Sequence, residues 1–199
     1  MRHAKILAAG LLTAAAAGAH AEQADINIGP DSVRFFLAGP LSRAASGLTG
    51  QYDLGLIYKE GDDKSANPKD KQLKLAHIGV LATGDAGAKS AKASAGLGLR
   101  AVFADRRGTT GEAVALGGQF DVRLPGYERV GLGGYGWYAP NILSFSDVKN
   151  YSEFALDVEF QVVKAASVYA GYRDVNVKPE GGGNSDADSS GHIGIRLNF

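Results

Sequence analysis

The chain contains no cysteine, which removes disulfides, thiolate metal sites and thiol nucleophiles from consideration. An exported protein without thiols also escapes mispairing in an oxidising compartment. Charge of one sign is missing too: 21 Lys and Arg balance 21 Asp and Glu. Two of the basic residues, Arg2 and Lys5, fall in the first 21 positions, which hold no acid. The remainder therefore carries 19 basic against 21 acidic residues, a net charge of −2. Nucleic-acid binding, which rests on neutralising phosphates with Lys and Arg, is not expected. Beyond residue 21 no apolar run approaches the roughly 18 residues that mark a membrane-spanning helix.

The first 21 residues read as a cleaved export signal. Arg2 and Lys5 precede the weakly apolar run Ile6 to Gly18, and Ala19-His20-Ala21 supplies the small-x-small pattern cut by signal peptidase. Cleavage before Glu22 leaves residues 22–199 as a single domain, a size that suits one fold rather than two. The apolar run is shorter than the roughly 20 residues of a spanning helix, so it does not read as a retained anchor. With no cysteine after it, a lipid-anchored lipoprotein is excluded.

What the chain has in abundance is glycine, 28 residues, and period-two alternation. From Tyr151 to Val162, Phe154, Leu156, Val158, Phe160 and Val162 share one face, while Tyr151, Glu153, Ala155, Asp157, Glu159 and Gln161 share the other. A helix would scatter those carboxylates around its circumference; a strand gathers them on one side. Similar patterns run over Leu48–Tyr58, Ala91–Phe103, Val114–Val122 and Gly191–Phe199. Less cleanly phased strands fall near 72–83, 128–138 and 167–177. In the first of these, Leu73 and Leu75 are out of step with Ile78 and Val80, which suggests a bulge. Val33–Leu37 and a short piece at Ile26 and Ile28, joined by Gly29-Pro30-Asp31, add a first hairpin. The sum is eight or ten strands, since single-chain bacterial barrels carry an even number, and ten is favoured. Long connections, such as 59–72, 139–149 and 178–190, alternate with short ones from the C-terminus backward.

The expected fold is a closed antiparallel transmembrane β-barrel. Alternation alone fits a soluble barrel with its apolar face inward equally well. Three features favour the apolar face outward. The other face mixes glycine, alanine and serine with isolated charges, which suits a crowded polar interior. The clean segments run about 11–13 residues, near the roughly 9–11 of a tilted membrane strand. The chain also ends His192-Ile193-Gly194-Ile195-Arg196-Leu197-Asn198-Phe199, with Ile193, Ile195, Leu197 and Phe199 at alternate positions. This ending resembles the signature that barrel-assembly machinery reads on outer-membrane proteins. In hydrocarbon such a sheet has to close, because every backbone polar group needs a partner within the protein. Tyr52, Tyr58, Phe103, Phe120, Tyr127, Tyr138 and Tyr151 sit near strand ends and are candidates for interfacial girdles.

No constellation carries chemistry. Beyond the leader the histidines are His77 and His192, and neither has the serine and carboxylate spacing of a lipid deacylase. Gly131-Leu132-Gly133-Gly134-Tyr135-Gly136 spells GxGxxG, but Trp137-Tyr138 and Pro140 follow where a nucleotide site needs a helix. Asp186 and Asp188 lie in a glycine-rich stretch without EF-hand spacing. No catalytic, cofactor or metal residue is assigned. The residues expected to face the lumen as a polar network are Asp53, Lys92, Arg100, Gln119, Asp121, Glu153, Asp157, Glu159 and Arg196, with Arg129 as a further candidate cation, because buried charges must pair.

Several stretches carry a family resemblance: Val168 to Val177 (VYAGYRDVNV), the terminal GIRLNF, Tyr135 to Asn141 (YGWYAPN), Tyr151-Ser152-Glu153 and the charged 59–72 segment. From about residue 46 to the end the chain resembles the YfaZ family of small outer-membrane barrels of Gram-negative bacteria. The resemblance implies a location in the outer membrane, lipid as the surrounding partner, and contact with the assembly machinery during biogenesis. It brings no catalytic residues and no oligomeric state. The function expected is non-enzymatic, structural or exercised through the loops; the alternative is a narrow porin-like channel for small solutes. A soluble secreted β-barrel and a barrel-borne lipid-modifying enzyme rank below both.

Overall fold

The computed structural model describes residues 23–45, 48–61, 72–86, 92–106, 109–179 and 186–199. Eleven strands form one sheet. They are β1 (Gln23–Ile28), β2 (Ser32–Ala45), β3 (Leu48–Lys59), β4 (Leu73–Asp85), β5 (Ala93–Arg106), β6 (Thr109–Leu124), β7 (Tyr127–Ala139), β8 (Ser144–Ser146), β9 (Val148–Val163), β10 (Ala166–Pro179) and β11 (Asp186–Asn198). Each strand pairs antiparallel with its neighbour, β7 pairs β9, and β5 pairs β6. The ends meet where Gln23 to Ile28 pair with Asn198 to Ile193. Ten strands thus close a ring in which each has a partner on both sides, leaving none of them as an edge to recruit another chain.

The short β8 pairs with Gly111–Ala113 of β6, beyond the point where β7 ends its pairing at Leu116↔Tyr138. It extends the line of β7 after a single 3-10 turn at Asn141–Leu143. A tight turn then reverses the chain into β9 and holds Ser146 at φ 59°, a region that L-residues other than glycine rarely adopt. Part of the 139–149 loop expected from sequence is therefore strand.

Which face looks outward follows from side-chain accessibility along β9. Phe154, Leu156, Val158 and Phe160 are exposed, whereas Glu153 and Glu159 are each 1% exposed. The same alternation runs around the ring, with Leu54, Leu56, Ile78, Val80, Leu97, Leu99, Ile193 and Ile195 all on the outer wall. An apolar exterior around a polar interior is the arrangement demanded by hydrocarbon outside and packed side chains within.

Strand β4 corrects one expectation. Its register with β3 is unbroken from Thr49↔Thr83 to Lys59↔Leu73, so there is no bulge. Leu73 and Leu75 are out of phase with Ile78 and Val80 because they point into the barrel. They join Ile57, Val102, Trp137, Tyr151, Val175 and Val177 in a buried apolar layer that fills one end of the lumen. Tyr151, expected in an interfacial girdle, belongs to this interior layer and is 1% exposed. Tyr58, Phe103 and Tyr138 near one rim, and Phe120 and Tyr127 near the other, are exposed on the outer wall.

Gln23 and Phe199, the turns 125–126 and 164–165, and the strand ends Ala45, Leu48, Asp85 and Ala93 lie at one end of the barrel. At the 125–126 turn Pro125 precedes Gly126, held at φ 78°, a conformation that favours glycine at this turn position. Residues 140–147 and the strand ends Lys59, Leu73, Pro179 and Asp186, the first two separated by the longest interval between strands, lie at the other end. Long loops face the cell exterior in such barrels and short turns face the periplasm. On that rule the apolar layer sits toward the outer end of the barrel, and Gln23 and Phe199 toward the periplasmic end.

Candidate functional site

Inward positions of the ring hold an ionic network in three connected parts. Beside the apolar layer, Arg173 of β10 is without solvent exposure. Its Nε and Nη2 donate to Asp188 Oδ2 at 3.0 and 2.6 Å. Nη1 donates to Asn27 Oδ1 at 2.8 Å, and Nη2 also reaches Ser32 Oγ at 3.0 Å. Lys59 Nζ adds a second cation, 3.3 Å from Asp188 Oδ1. Asp188, a residue of the glycine-rich stretch weighed for cation binding, is thus spent on Arg173 and Lys59.

In the middle, Arg100 Nε donates to Asp53 Oδ1 and Oδ2 at 3.2 and 3.1 Å, and its Nη2 donates to Oδ2 at 2.7 Å. That two-pronged geometry is the strong form of the ion pair. The Arg100 guanidinium also lies 3.9 Å over the Trp137 ring. Glu153 accepts hydrogen bonds from Tyr135 Oη at 2.8 Å and from Tyr151 Oη. His77 lies with Nε2 3.7 Å from Asp53 Oδ1, and neither of its ring nitrogens has a hydrogen-bond partner.

Toward the periplasmic end, Asp25 accepts from Tyr169 Oη at 2.6 Å and from Arg196 Nε at 3.1 Å. Arg196 also bonds Glu159, which Arg123 holds from the other side. Arg123 Nε donates to Asp121 Oδ1 at 3.2 Å, and His192 Nε2 is 2.9 Å from Asp157 Oδ1. Gln119 donates to Gln51 at 3.3 Å.

Of the residues expected in the lumen, Asp53, Arg100, Glu153, Asp157 and Glu159 are buried inside, and Gln119, Asp121 and Arg196 are half-buried on the same inner wall. Lys92 is not among them. It precedes β5 at the periplasmic rim, where Lys92 Nζ pairs with Glu128 at 3.1 Å and both side chains are largely exposed. The strand alternation was extended one residue too far. Arg129, a further candidate cation for the lumen, is likewise exposed at that rim.

Sequence reasoning passed over Arg34, Arg123 and Arg173, together with their partners Asp25 and Asn27. The signal was available for Arg34, which alternates with the outward Val33, Phe35 and Leu37. Ile193, Ile195, Leu197 and Phe199 all lie exposed on the outer wall or at its rim. The cleavage residues Ala19 and Ala21 lie outside the described residues. Among the described residues no group of three or more acidic or histidine side chains is placed to hold a metal ion.

A family model described as "YfaZ precursor" matches residues 1–199. The chain belongs to the YfaZ family. The match takes in the leader and the first hairpin, both outside the stretch that carried the resemblance in the sequence. This YfaZ barrel is an outer-membrane β-barrel protein, and its apolar belt faces lipid. A search of curated proteins finds no match to it. Among solved structures it is similar to outer membrane phospholipase A from Escherichia coli, at 12% identity over 88% of this chain and 90% of that one, with a TM-score of 0.47. An active-site mutant of that enzyme gives 11% identity, 90% and 91% coverage and a TM-score of 0.48. The Salmonella typhi phospholipase dimer with bound calcium gives 11%, 88%, 90% and 0.45. No residue role in the YfaZ chain is taken from these likenesses.

Proposed function

We propose that this protein is a non-enzymatic outer-membrane barrel that conducts no solutes and acts through its two ends. One observation carries the reading: the layer of Leu73, Leu75, Val102, Trp137, Tyr151 and Val175 fills the lumen beneath the outer loops, with every member at most 2% exposed. Water and ions have no foothold in a dry apolar layer. The ion pairs nearest that layer, Arg173 with Asp188 and Arg100 with Asp53, are fully buried and also support closure.

The histidines support the non-enzymatic part. Lipid cleavage by a serine needs its hydroxyl against a histidine nitrogen. His192 spends Nε2 on Asp157 and its Nδ1 has no partner, while both nitrogens of His77 have none. Both rings are buried inside the barrel, on the opposite side of the wall from lipid. Roles left to the molecule are stiffening the membrane or docking partners at the loops, and the terminal Ile193, Ile195, Leu197 and Phe199 are proposed as the segment read by the assembly machinery.

Planar-bilayer recording tests the reading. The purified barrel is expected to show no steady unitary conductance, and Leu73→Gly combined with Leu75→Gly is expected to introduce one. A stable open channel in the parent protein favours the porin-like alternative instead.

A further inference from the structure

We infer that the periplasmic mouth of the barrel is a binding pocket for a small oxyanion, a carboxylate or a phosphate arriving from the periplasm. Below the ionic network the lumen widens into a cavity of about 440 Å³, within the roughly 300–1,000 Å³ of ligand sites. It is open to water: Thr49 and Ser94 line it and are nonetheless exposed. Room for it comes from Gly133, an inward position without a side chain.

Unmet hydrogen-bonding capacity concentrates here. Among the described residues, the buried guanidinium nitrogens without a partner are Arg34 Nε, Arg100 Nη1 and Arg123 Nη1. All three arginines line this cavity, whereas Arg173, remote from it, is saturated. Arg34 is the least compensated. It is 5% exposed, its guanidinium reaches the Asp25 carboxylate only at 3.9 Å, and its closest company is the Phe36 and Tyr135 rings at 4.7 and 5.2 Å. Its buried Nε–H is a donor without an acceptor, which an oxyanion can supply. Four arginines, Arg34, Arg100, Arg123 and Arg196, line it with Asp25, Asp121 and Asp157, while Asp53 and Glu159 behind them take up Arg100, Arg123 and Arg196 and leave Arg34 with its free donor. The amides and hydroxyls of Gln51, Gln119, Thr83 and Ser94 nearer the mouth suit the remainder of a small polar acid. With the apolar layer above, the pocket is a dead end: what enters binds and leaves by the same mouth.

Calorimetric titration of the folded barrel in detergent, with inorganic phosphate in one arm and succinate in the other, tests this. Chloride at matched ionic strength is the control, and emission of Trp137, whose ring Arg100 covers, is the second readout. Saturable binding of either anion at up to millimolar concentration is expected, and the responding arm identifies the phosphate or the carboxylate as the preferred class. Arg34→Gln is expected to weaken binding at least about tenfold, the loss of one charge-assisted contact. Gly133→Leu is expected to abolish it by filling the cavity. A Cβ at position 133 meets only Asp121 Oδ2 and Phe120 O, both at 3.7 Å, so the fold tolerates the change. Should Arg34→Gln fail to fold, as judged by gel mobility before and after boiling, Gly133→Leu decides alone. No saturable heat with either anion, or undiminished binding in Gly133→Leu, overturns the inference. Neither result bears on conductance, so this inference and the closed-barrel reading fail separately.

Discussion

Arg173 and Asp188 are both without solvent exposure, and at 2.6 Å each is the other's nearest opposite charge, with Lys59 as a second cation for Asp188. Removing one partner of such a pair strands a buried charge, which costs about 3–5 kcal/mol, whereas replacing both by apolar groups is often neutral. Arg173→Met is therefore expected to destabilise the barrel by about 3–5 kcal/mol, and Arg173→Met with Asp188→Leu to recover most of that loss. Urea unfolding in detergent, followed by gel mobility, measures both; a single variant as stable as the parent contradicts the assignment. These two residues also show where side-chain roles were legible. Glu153, Asp157 and Glu159 stood out because they recur in one clean alternating strand. Arg173 sits in VYAGYRDVNV, where tyrosines fall on both faces and conceal the phase. Arg34 escaped notice because only five residues of β2 read as strand.

At the scale of the element, alternation was legible wherever the inner face is polar or small and failed where it is greasy. Strand β4 crosses from the apolar layer at Leu73 and Leu75 to the polar zone at His77, so its inner face changes character midway. Periodicity cannot separate that from a slip in register. Strand β2 was read too short for a different reason. It runs through Gly39-Pro40 to Ala45, and its register with β3 shifts between Pro40 and Arg43. Proline is accepted at such irregularities near a barrel rim, though it breaks the signal in sequence. Position along the strand should govern tolerance to charge. Leu156→Arg, on the outer wall midway along β9, is expected to cost about 2–4 kcal/mol in lipid vesicles, the penalty of a cation at mid-bilayer. Ile142→Arg, on the exposed 3-10 turn beyond the end of β7, is expected to cost about 0–1 kcal/mol. Equal penalties at the two sites, measured by urea unfolding in vesicles, contradict the placement.

For the whole molecule, ring closure between β1 and β11 explains why the first hairpin belongs to the barrel despite its weak pattern: without β1 the last strand has no partner on one side. Ion pairs on the inner wall join residues far apart in sequence: Arg196 sits opposite Asp25 on the adjoining strand, and Arg100 reaches Asp53 across β4. No spacing rule reveals such pairs, so the fold was more legible than the site. Cleavage of an export signal before Glu22 is a separate proposal with its own test. The intact mass of the protein isolated from membranes is expected to correspond to a chain starting at Glu22, and a retained leader overturns that cleavage site. The account as a whole stands on the orientation of one alternating wall. Because the chain has no cysteine, single cysteines placed along 154–160 of β9 can each carry one spin label in a reconstituted bilayer. Oxygen accessibility is predicted to peak at 154, 156, 158 and 160 and to fall at 155, 157 and 159. A flat profile, or peaks at the odd positions, contradicts it.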